Sequence, residues 1–123
     1  MKRENKLYGN WGEDVVREFL EKNNYVFLEK NFLTKLGELD LVFKKMEYLV
    51  FVEVKTRKKH EDQIPVIIPF SKQQRIVKTA KLFMMQRGYS LSDYVVRFDV
   101  AFVFYYPGEK PEIKYIENAF FGR

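Results

Sequence analysis

Residues 37–55 combine a segment in which apolar and polar residues alternate with an uninterrupted apolar run from Tyr48 to Val52. The chain there reads Gly-Glu-Leu-Asp-Leu-Val-Phe, then Lys-Lys-Met-Glu, then Tyr-Leu-Val-Phe-Val-Glu-Val-Lys. In the last segment, Leu49 and Phe51 point to one side and Val50 and Val52 to the other. β-Branched and aromatic residues without Gly or Pro favour a strand. Because this strand is apolar on both faces, it is expected inside a sheet that is covered on both sides.

A hairpin accounts for the two halves of this stretch. With Lys45 and Met46 as the loop residues, Asp40 lies diagonal to Glu53, at about 7–8 Å or less between their Cβ atoms. The two acids then share one face of the sheet, and two carboxylates at that separation can bind one divalent cation. Lys55 follows on the same face, within reach of a phosphate or an attacking water.

A helical period predicts the first helix over residues 8–23, after a frayed polar start. Its apolar stripe consists of Tyr8, Trp11, Val15 and Phe19, with Val16 and Leu20 widening one side. Glu13 lies on the edge formed by Val16 and Leu20. From the residue pattern alone, a surface position is favoured for this glutamate. Asn23 and Asn24 are suited to end the helix, since asparagine tolerates the left-handed conformation.

The second helix is predicted over residues 71–88. Ser71 and Gln74 have the spacing of a capping box at its start, and Gly88 ends it. Its buried side is formed by Ile76, Val77, Ala80, Phe83 and Met84. Further strands are predicted at 25–32, 94–106 and 113–120, with Asp99 paired structurally to Arg97.

The order helix, three strands, helix, two strands predicts an α/β fold. We expect a central mixed five-stranded sheet flanked by two helices, in one domain spanning residues 1–123. A chain of 123 residues is long enough for one core and too short for two.

The amino-acid composition limits which disulfides and metal sites the chain can form. The chain has no cysteine and one histidine, which excludes disulfides and thiolate sites and makes zinc chemistry unfavourable. A bound metal would need oxygen ligands, which points to Mg²⁺ or Mn²⁺. No apolar run approaches transmembrane length and no signal-peptide pattern is present. The sequence therefore predicts no membrane association and a cytoplasmic location.

The net charge of +5 permits binding to a polyanion. Arg57, Lys58 and Lys59 form a basic run, predicted as a loop that leaves the central strand beside the two acids. A phosphate-backbone contact and a solvated loop are equally compatible with this run. Lys72 and Arg75 lie near the start of the second helix, where cations oppose the helix dipole, and this favours a role in binding substrate phosphate.

Residues 61–70 carry the weakest pattern. Pro65 and Pro69 bracket Val66, Ile67 and Ile68 in a predicted loop or edge strand. Three exposed aliphatic residues could mark a homodimer contact.

Asp40 followed by Glu53-Val54-Lys55 resembles the PD-(D/E)XK nuclease superfamily, which includes archaeal Holliday-junction resolvases and many restriction endonucleases. Leu39 stands where the superfamily's name has proline. A closer resemblance is to the small bacterial YraN-like family, through residues 12–13, 37–41, 51–57 and 97–99, in the same order and over nearly the whole chain. The family usually has a glycine-containing loop and Glu-Ala-Val before the second helix, and this chain lacks both.

The resemblance implies a restriction-endonuclease-like core and a metal-dependent nuclease acting on nucleic acid, with DNA repair or recombination as the setting. It implies Asp40, Glu53, Lys55 and Glu13 as catalytic residues. The implied metal ligands are Asp40, Glu53, the Val54 carbonyl and Glu13, while Glu38 is a flanking acid without an assigned role. Two alternatives stay open: a binding or adaptor module of the same fold without turnover, and a salt-bridged cluster of Asp40, Glu53 and Lys55 that binds no ligand.

Overall fold

A mixed sheet lies between two helices in the computed structural model, which describes residues 2–58 and 68–122. The elements in chain order are α1 (Lys2–Lys22), β1 (Val26–Leu33), β2 (Glu38–Lys45), β3 (Tyr48–Lys58), α2 (Phe70–Arg87), β4 (Val95–Tyr105) and β5 (Glu112–Phe120). The strands follow one another in the order β1-β2-β3-β4-β5. Only the β3–β4 pair is parallel among these strands. The α/β class, the mixed five-stranded sheet and the two helices agree with the prediction.

The central strand β3 has a hydrophobic core on each face, as its sequence predicts. Phe51 belongs to the core under α2, where its ring contacts that of Phe83 edge-on at 5.9 Å between centroids. Val50 and Val52 belong to the core under α1, together with Val16. Burial on both sides makes β3 a rigid base for the residues at its C-terminal end.

Helix α1 is longer and rotated relative to the prediction. It begins at Lys2 rather than near residue 8, because Lys, Arg, Glu and Leu are good helix formers even without an apolar stripe. Val16 and Leu20 are fully buried, whereas Trp11 and Phe19 are only partly buried. The buried face is therefore centred on the edge that carries Glu13. The surface position favoured for Glu13 by its residue pattern was wrong.

The end of α1 agrees with the prediction. Asn24 has a φ of 68°, a left-handed conformation that asparagine tolerates. Tyr25 then donates its backbone N–H to the Leu20 carbonyl at 3.0 Å. This bond satisfies one of the helix's terminal carbonyls and turns the chain into β1.

The hairpin turn lies one residue further along than predicted. Lys45 pairs with Tyr48, so Met46 and Glu47 are the loop residues, and Met46 has a φ of 53°. The turn contains no Gly, Asn or Asp to mark its position in the sequence. The predicted pairing was thus wrong by two residues. An even shift leaves every side chain on its predicted face.

Strand β3 continues through residues 56–58, which the sequence had suggested were a loop. Thr56, Arg57 and Lys58 pair with Val103, Phe104 and Tyr105 of β4. Parallel pairing with a long neighbour satisfies the backbone of this polar segment, so the segment stays extended. Lys59 and His60 lie outside the described residues.

The start of α2 also differs from the prediction. Pro69 is the N-cap residue and no side chain caps the helix, so the expected capping box of Ser71 and Gln74 was wrong. Gln73 instead donates its backbone N–H to Pro69 at 2.9 Å and its side-chain amide to the Ile68 carbonyl at 2.8 Å. The predicted buried residues of α2 are confirmed, and Gly88 ends the helix with a φ of 76°.

Ile68 is 7% exposed and packs in the core under α2. The prediction that residues 66–68 form an exposed aliphatic patch was therefore wrong at Ile68, since the start of α2 presses this side chain onto the sheet. Val66 and Ile67, like the rest of residues 59–67, lie outside the described residues.

Asp99 is fully buried and forms the predicted pair with Arg97, whose Nη2 lies 2.8 Å from Asp99 Oδ2. The Tyr115 hydroxyl and the Asn118 backbone N–H also donate to this carboxylate. A buried charge requires such compensation. The cluster joins β4 to β5, and Tyr25 extends it toward β1 by accepting from Arg97 at 2.6 Å.

Candidate metal centre

The site lies where β2 and β3 separate. Their last backbone pair is Leu41 with Val52. Beyond this pair, toward the C-terminal end of β3, the Val54 backbone N–H donates to Asp40 Oδ2 at 2.9 Å. The Asp40 side chain thus takes the place of a backbone partner, and this bond holds its carboxylate at the opening between the strands.

Three acids from two elements converge at this opening. One carboxylate oxygen each from Glu13 on α1 and from Glu38 and Asp40 on β2 lie within 4.8 Å of one another. Glu13 is only 8% exposed, and its Oε1 atom is buried without a hydrogen-bond partner. Lys30 Nζ stands 4.0 Å from that atom, beyond hydrogen-bonding distance.

The electrostatics of these acids follow from burial and mutual repulsion. Burial, the main cause, and the nearby Glu53 and Glu13 carboxylates together raise the pKa of Asp40 to about 8, although the bond from the Val54 N–H opposes the shift. Burial likewise raises the pKa of Glu13, against the lowering effect of Asn31 and Lys30. Asp40 and Glu13 therefore keep their protons to higher pH than they would in water, and a bound cation would displace those protons.

Glu53 lies beside this group but makes different contacts. It is 7% exposed, and its Oε1 atom is 2.7 Å from Lys72 Nζ and 3.4 Å from Lys55 Nζ. Burial lowers the pKa of Lys55, and contact with Lys72 lowers it further. Burial alone would lower the pKa of Lys72, but its hydrogen bond and charge interaction with Glu53 outweigh burial and raise it.

Two recesses open onto these residues. The larger has a volume of about 550 Å³; the acids Glu13, Asp40 and Glu53 lie along it with the cations Lys55, Arg57, Lys58 and Lys72. The smaller, about 220 Å³, lies on the α2 side and includes Glu38 and Arg75. The predicted acids and the described members of the predicted cation set thus border one connected region of surface. Lys59 lies outside the described residues.

Arg57 is held at the larger recess by a bond from its Nη1 to the Thr56 carbonyl at 2.9 Å, and its Nε is buried without a partner. Lys58 is exposed. Trp11 packs edge-on against Tyr105 at 6.2 Å between centroids, and Tyr105 lines the same recess. The recess therefore combines acids, cations and an aromatic wall.

Sequence reasoning left Glu38 without a role, although its alternation with Asp40 along β2 was a usable signal. It also missed the contact between Lys72 and Glu53. No local pattern reveals that contact, because it depends on how the start of α2 packs against the end of β3.

The family comparison covers this whole site. The Uncharacterised protein family UPF0102 matches residues 12–103, a range that runs from Gly12 through Glu13, Asp40, Glu53 and Lys72. The chain belongs to the UPF0102 family. This finding confirms the closer, YraN-like resemblance in the sequence.

Relatives match over nearly their full lengths. A UPF0102 protein of Alkaliphilus metalliredigens is 40% identical over 116 residues, covering 94% of this chain and 98% of that protein. One from Dictyoglomus turgidum is 36% identical over 118 residues, with 94% and 98% coverage. One from Vibrio vulnificus is 37% identical over 116 residues, with 93% and 92% coverage.

Neither helix of this UPF0102 protein, over its described residues, has the length and apolarity required to cross a bilayer.

Proposed function

We propose that this UPF0102 protein is a divalent-metal-dependent nuclease with a restriction-endonuclease-like core of the PD-(D/E)XK type. The observation that carries the proposal is the buried Glu13 Oε1 atom, which has no hydrogen-bond partner and lies beside the carboxylates of Glu38 and Asp40. Burying such an atom is unfavourable unless something compensates it. A cation bound among these oxygens would do so.

The donor set suits Mg²⁺ or Mn²⁺, because it consists of carboxylate oxygens. Glu13 and Asp40 would hold the ion from two elements, and Glu38 adds a third carboxylate from β2. Glu53 and the Val54 carbonyl complete the ligand set that the resemblance implies. Binding would favour the ionised form of Asp40, whose pKa is raised to about 8 by burial and by Glu53.

A bound divalent ion supplies Lewis-acid chemistry, polarising a phosphate and lowering the pKa of water. The chain supplies orientation and charge. Asp40 is fixed by the Val54 N–H. Lys55 stands at the same recess as the acids, where its ammonium would donate to the phosphate oxygen on which negative charge develops.

The substrate we propose is nucleic acid, and DNA in particular. Arg57, Lys58 and Lys72 lie along the larger recess and Arg75 lies along the smaller one. Cations arranged beside an acidic centre can bind the phosphates that flank a scissile bond. The net charge of +5 supports attraction to a polyanion at long range.

A cleavage screen tests the proposal. Purified protein is incubated with Mg²⁺ or Mn²⁺ and with single-stranded, duplex and four-way-junction DNA, and with the matching RNAs. We expect cleavage by the wild type, and none by Glu53→Ala prepared in parallel or by the wild type with a chelator. Absence of cleavage on every substrate, from protein that binds Mn²⁺ in calorimetry, would contradict the enzymatic proposal.

One observation favours a second candidate, a nucleic-acid-binding or adaptor module without turnover. Glu53 is already neutralised by Lys72 and Lys55, as in a site that needs no ion. This candidate predicts nucleic-acid binding that is unchanged by chelators, with no heat of Mn²⁺ binding.

A further inference from the structure

Glu53 forms ion pairs with two ammonium groups that come from different parts of the fold. Lys55 lies two residues along β3, on the same face as Glu53, so its position is set by the strand itself. Lys72 comes from the first turn of α2 and makes the closer contact, at 2.7 Å against 3.4 Å for Lys55. The two lysines therefore differ in how they are held.

The charges in this region are unevenly shared. Glu53 has two close cations, while the adjoining group of Glu13, Glu38 and Asp40 has no cation within ion-pair distance other than Lys30 Nζ, 4.0 Å from Glu13, among the described residues. Lys72 thus neutralises an acid next to a group of acids that repel one another.

Lys72 also has room to leave Glu53. Its side chain is 32% exposed and lines both recesses, the larger one with Lys55 and the smaller one with Arg75. A lysine has a flexible stem and a compact charge. It can therefore turn from Glu53 into either recess without movement of the helix.

We propose that Lys72 is an exchangeable counter-ion of Glu53: a divalent cation displaces it from the carboxylate, and its ammonium then binds a phosphate of the nucleic acid. This inference rests on the proposed metal site and adds regulation of that site by substrate. Lys72 and the ion compete for Glu53, so the lysine lowers ion affinity in the absence of nucleic acid. A phosphate that binds Lys72 removes the competitor, so ion and nucleic acid each increase the other's affinity.

The test measures Mn²⁺ affinity by calorimetry in three proteins: the wild type, Lys72→Met and Lys78→Met. Lys78 is an exposed lysine of the same helix and lies outside both recesses, so its variant controls for loss of one positive charge. Each protein is titrated alone, with a phosphorothioate oligonucleotide that resists cleavage, and with an uncharged methylphosphonate oligonucleotide of the same sequence.

Without oligonucleotide, Lys72→Met should bind Mn²⁺ at least fivefold more tightly than the wild type, and Lys78→Met should match the wild type. The phosphorothioate should tighten Mn²⁺ binding to the wild type and Lys78→Met by roughly 5- to 150-fold, the usual range for coupled sites. It should have a much smaller effect on Lys72→Met. The methylphosphonate should have no effect, because it carries no charge for Lys72 to bind.

Equal or weaker Mn²⁺ binding by Lys72→Met, with thermal unfolding showing that it is folded, would overturn the inference. Coupling that persists undiminished in Lys72→Met would do the same. The cleavage screen separates this failure from failure of the proposed function. If the wild type cleaves DNA but Lys72→Met binds Mn²⁺ no more tightly than the wild type, only the counter-ion role is refuted. If none of the three proteins binds Mn²⁺, both the counter-ion role and the proposed function are refuted.

Discussion

Asp40 is the residue in which fold and chemistry meet most directly. One of its oxygens accepts the Val54 N–H that β2 no longer pairs, so the acid is oriented by the opening of the sheet. Its raised pKa, about 8, has burial as the main cause and repulsion from Glu53 as the second. Ionisation of this buried carboxylate beside Glu53 costs the protein stability unless a cation compensates the charge.

This shift predicts how stability depends on pH. The pKa of Asp40 is about 8 in the folded state and 3.8 without its surroundings, so the folded protein binds more protons between those values. Its contribution to stability is therefore present below about pH 4 and is lost as the pH rises to about 8. Asp40→Asn keeps an acceptor for the Val54 N–H and carries no charge.

In the presence of a chelator, Asp40→Asn should unfold at a higher temperature than the wild type at pH 8, and at the same temperature near pH 4. Thermal unfolding followed by circular dichroism across this range measures the difference. Asp93→Asn, an exposed acid distant from the site in sequence, is the control and should track the wild type. A difference that stays constant with pH would contradict the assigned cause.

A second prediction at this scale separates the roles of the acids and Lys55. Asp40→Ala and Glu53→Ala remove proposed ligands, so both should weaken Mg²⁺ binding and abolish cleavage together. Lys55→Ala should retain the ion, or bind it more tightly, because a nearby positive charge is gone. Its cleavage rate should still fall by about two orders of magnitude or more, the usual loss for a donor aimed at developing charge.

Calorimetry and cleavage assays on the same preparations test this assignment. Nucleic-acid binding should persist in all three variants, since other cations contact the backbone. Loss of Mg²⁺ binding in Lys55→Ala would show that the lysine orients the acids instead of acting on the phosphate.

At the scale of elements, the faces of the strands were predictable and their exact pairing was not. Alternation placed Asp40 and Glu53 on one face, and this survived a register error of two residues because side chains repeat with that period. The turn at Met46 and Glu47 lacked a Gly or Asn to locate it. The orientation of α1 was misjudged because aromatic residues at its edge outweighed the smaller Val16 in the pattern.

The close contact between α1 and β3 gives a prediction of its own. A Cβ atom on Gly12 would lie 2.1 Å from Thr56 Oγ1, whereas one on Gly9 would meet nothing within 4 Å. Gly12→Ala should destabilise the protein by up to about 2 kcal/mol, since overpacking costs about 1–3 kcal/mol against a gain of about 1 kcal/mol in helix propensity. Gly9→Ala should be neutral or stabilising.

Urea unfolding of both variants measures the difference, and Gly12→Ala combined with Thr56→Ala should recover part of the loss. If Gly12→Ala is as stable as Gly9→Ala, α1 lies further from β3 than the structure shows. Because Glu13 follows Gly12, displacement of α1 should also weaken Mn²⁺ binding.

At the scale of the whole molecule, the site combines residues from α1, β2, β3 and α2. The sequence pattern identified the acids of the hairpin and Lys55 as neighbours, because they are close along the chain or across one turn. The pattern could not predict that Glu13 lies close to Glu38, or that Lys72 contacts Glu53, since both depend on how each helix packs on the sheet. The resemblance to a nuclease family pointed to Glu13 where its periodicity did not.

The last prediction concerns the cations as a set. If nucleic acid follows the larger recess, Arg57 and Lys58 lie on its path, with Lys59 next in sequence. Each phosphate contact contributes about 0.9 to the slope of log affinity against log salt for duplex DNA. Changing all three residues to alanine should therefore lower the slope by roughly two to three and weaken binding similarly for all sequences.

The control variant changes Lys78 and Lys81 to alanine. Both lysines are exposed on α2 and absent from the larger recess, so this variant should retain the wild-type slope. Fluorescence anisotropy with a labelled duplex at several salt concentrations measures both. Should the control flatten the slope and the triple variant leave it unchanged, nucleic acid contacts the side of α2 that carries Lys78 and Lys81, and the recess holding Glu13, Asp40 and Glu53 is not the binding path.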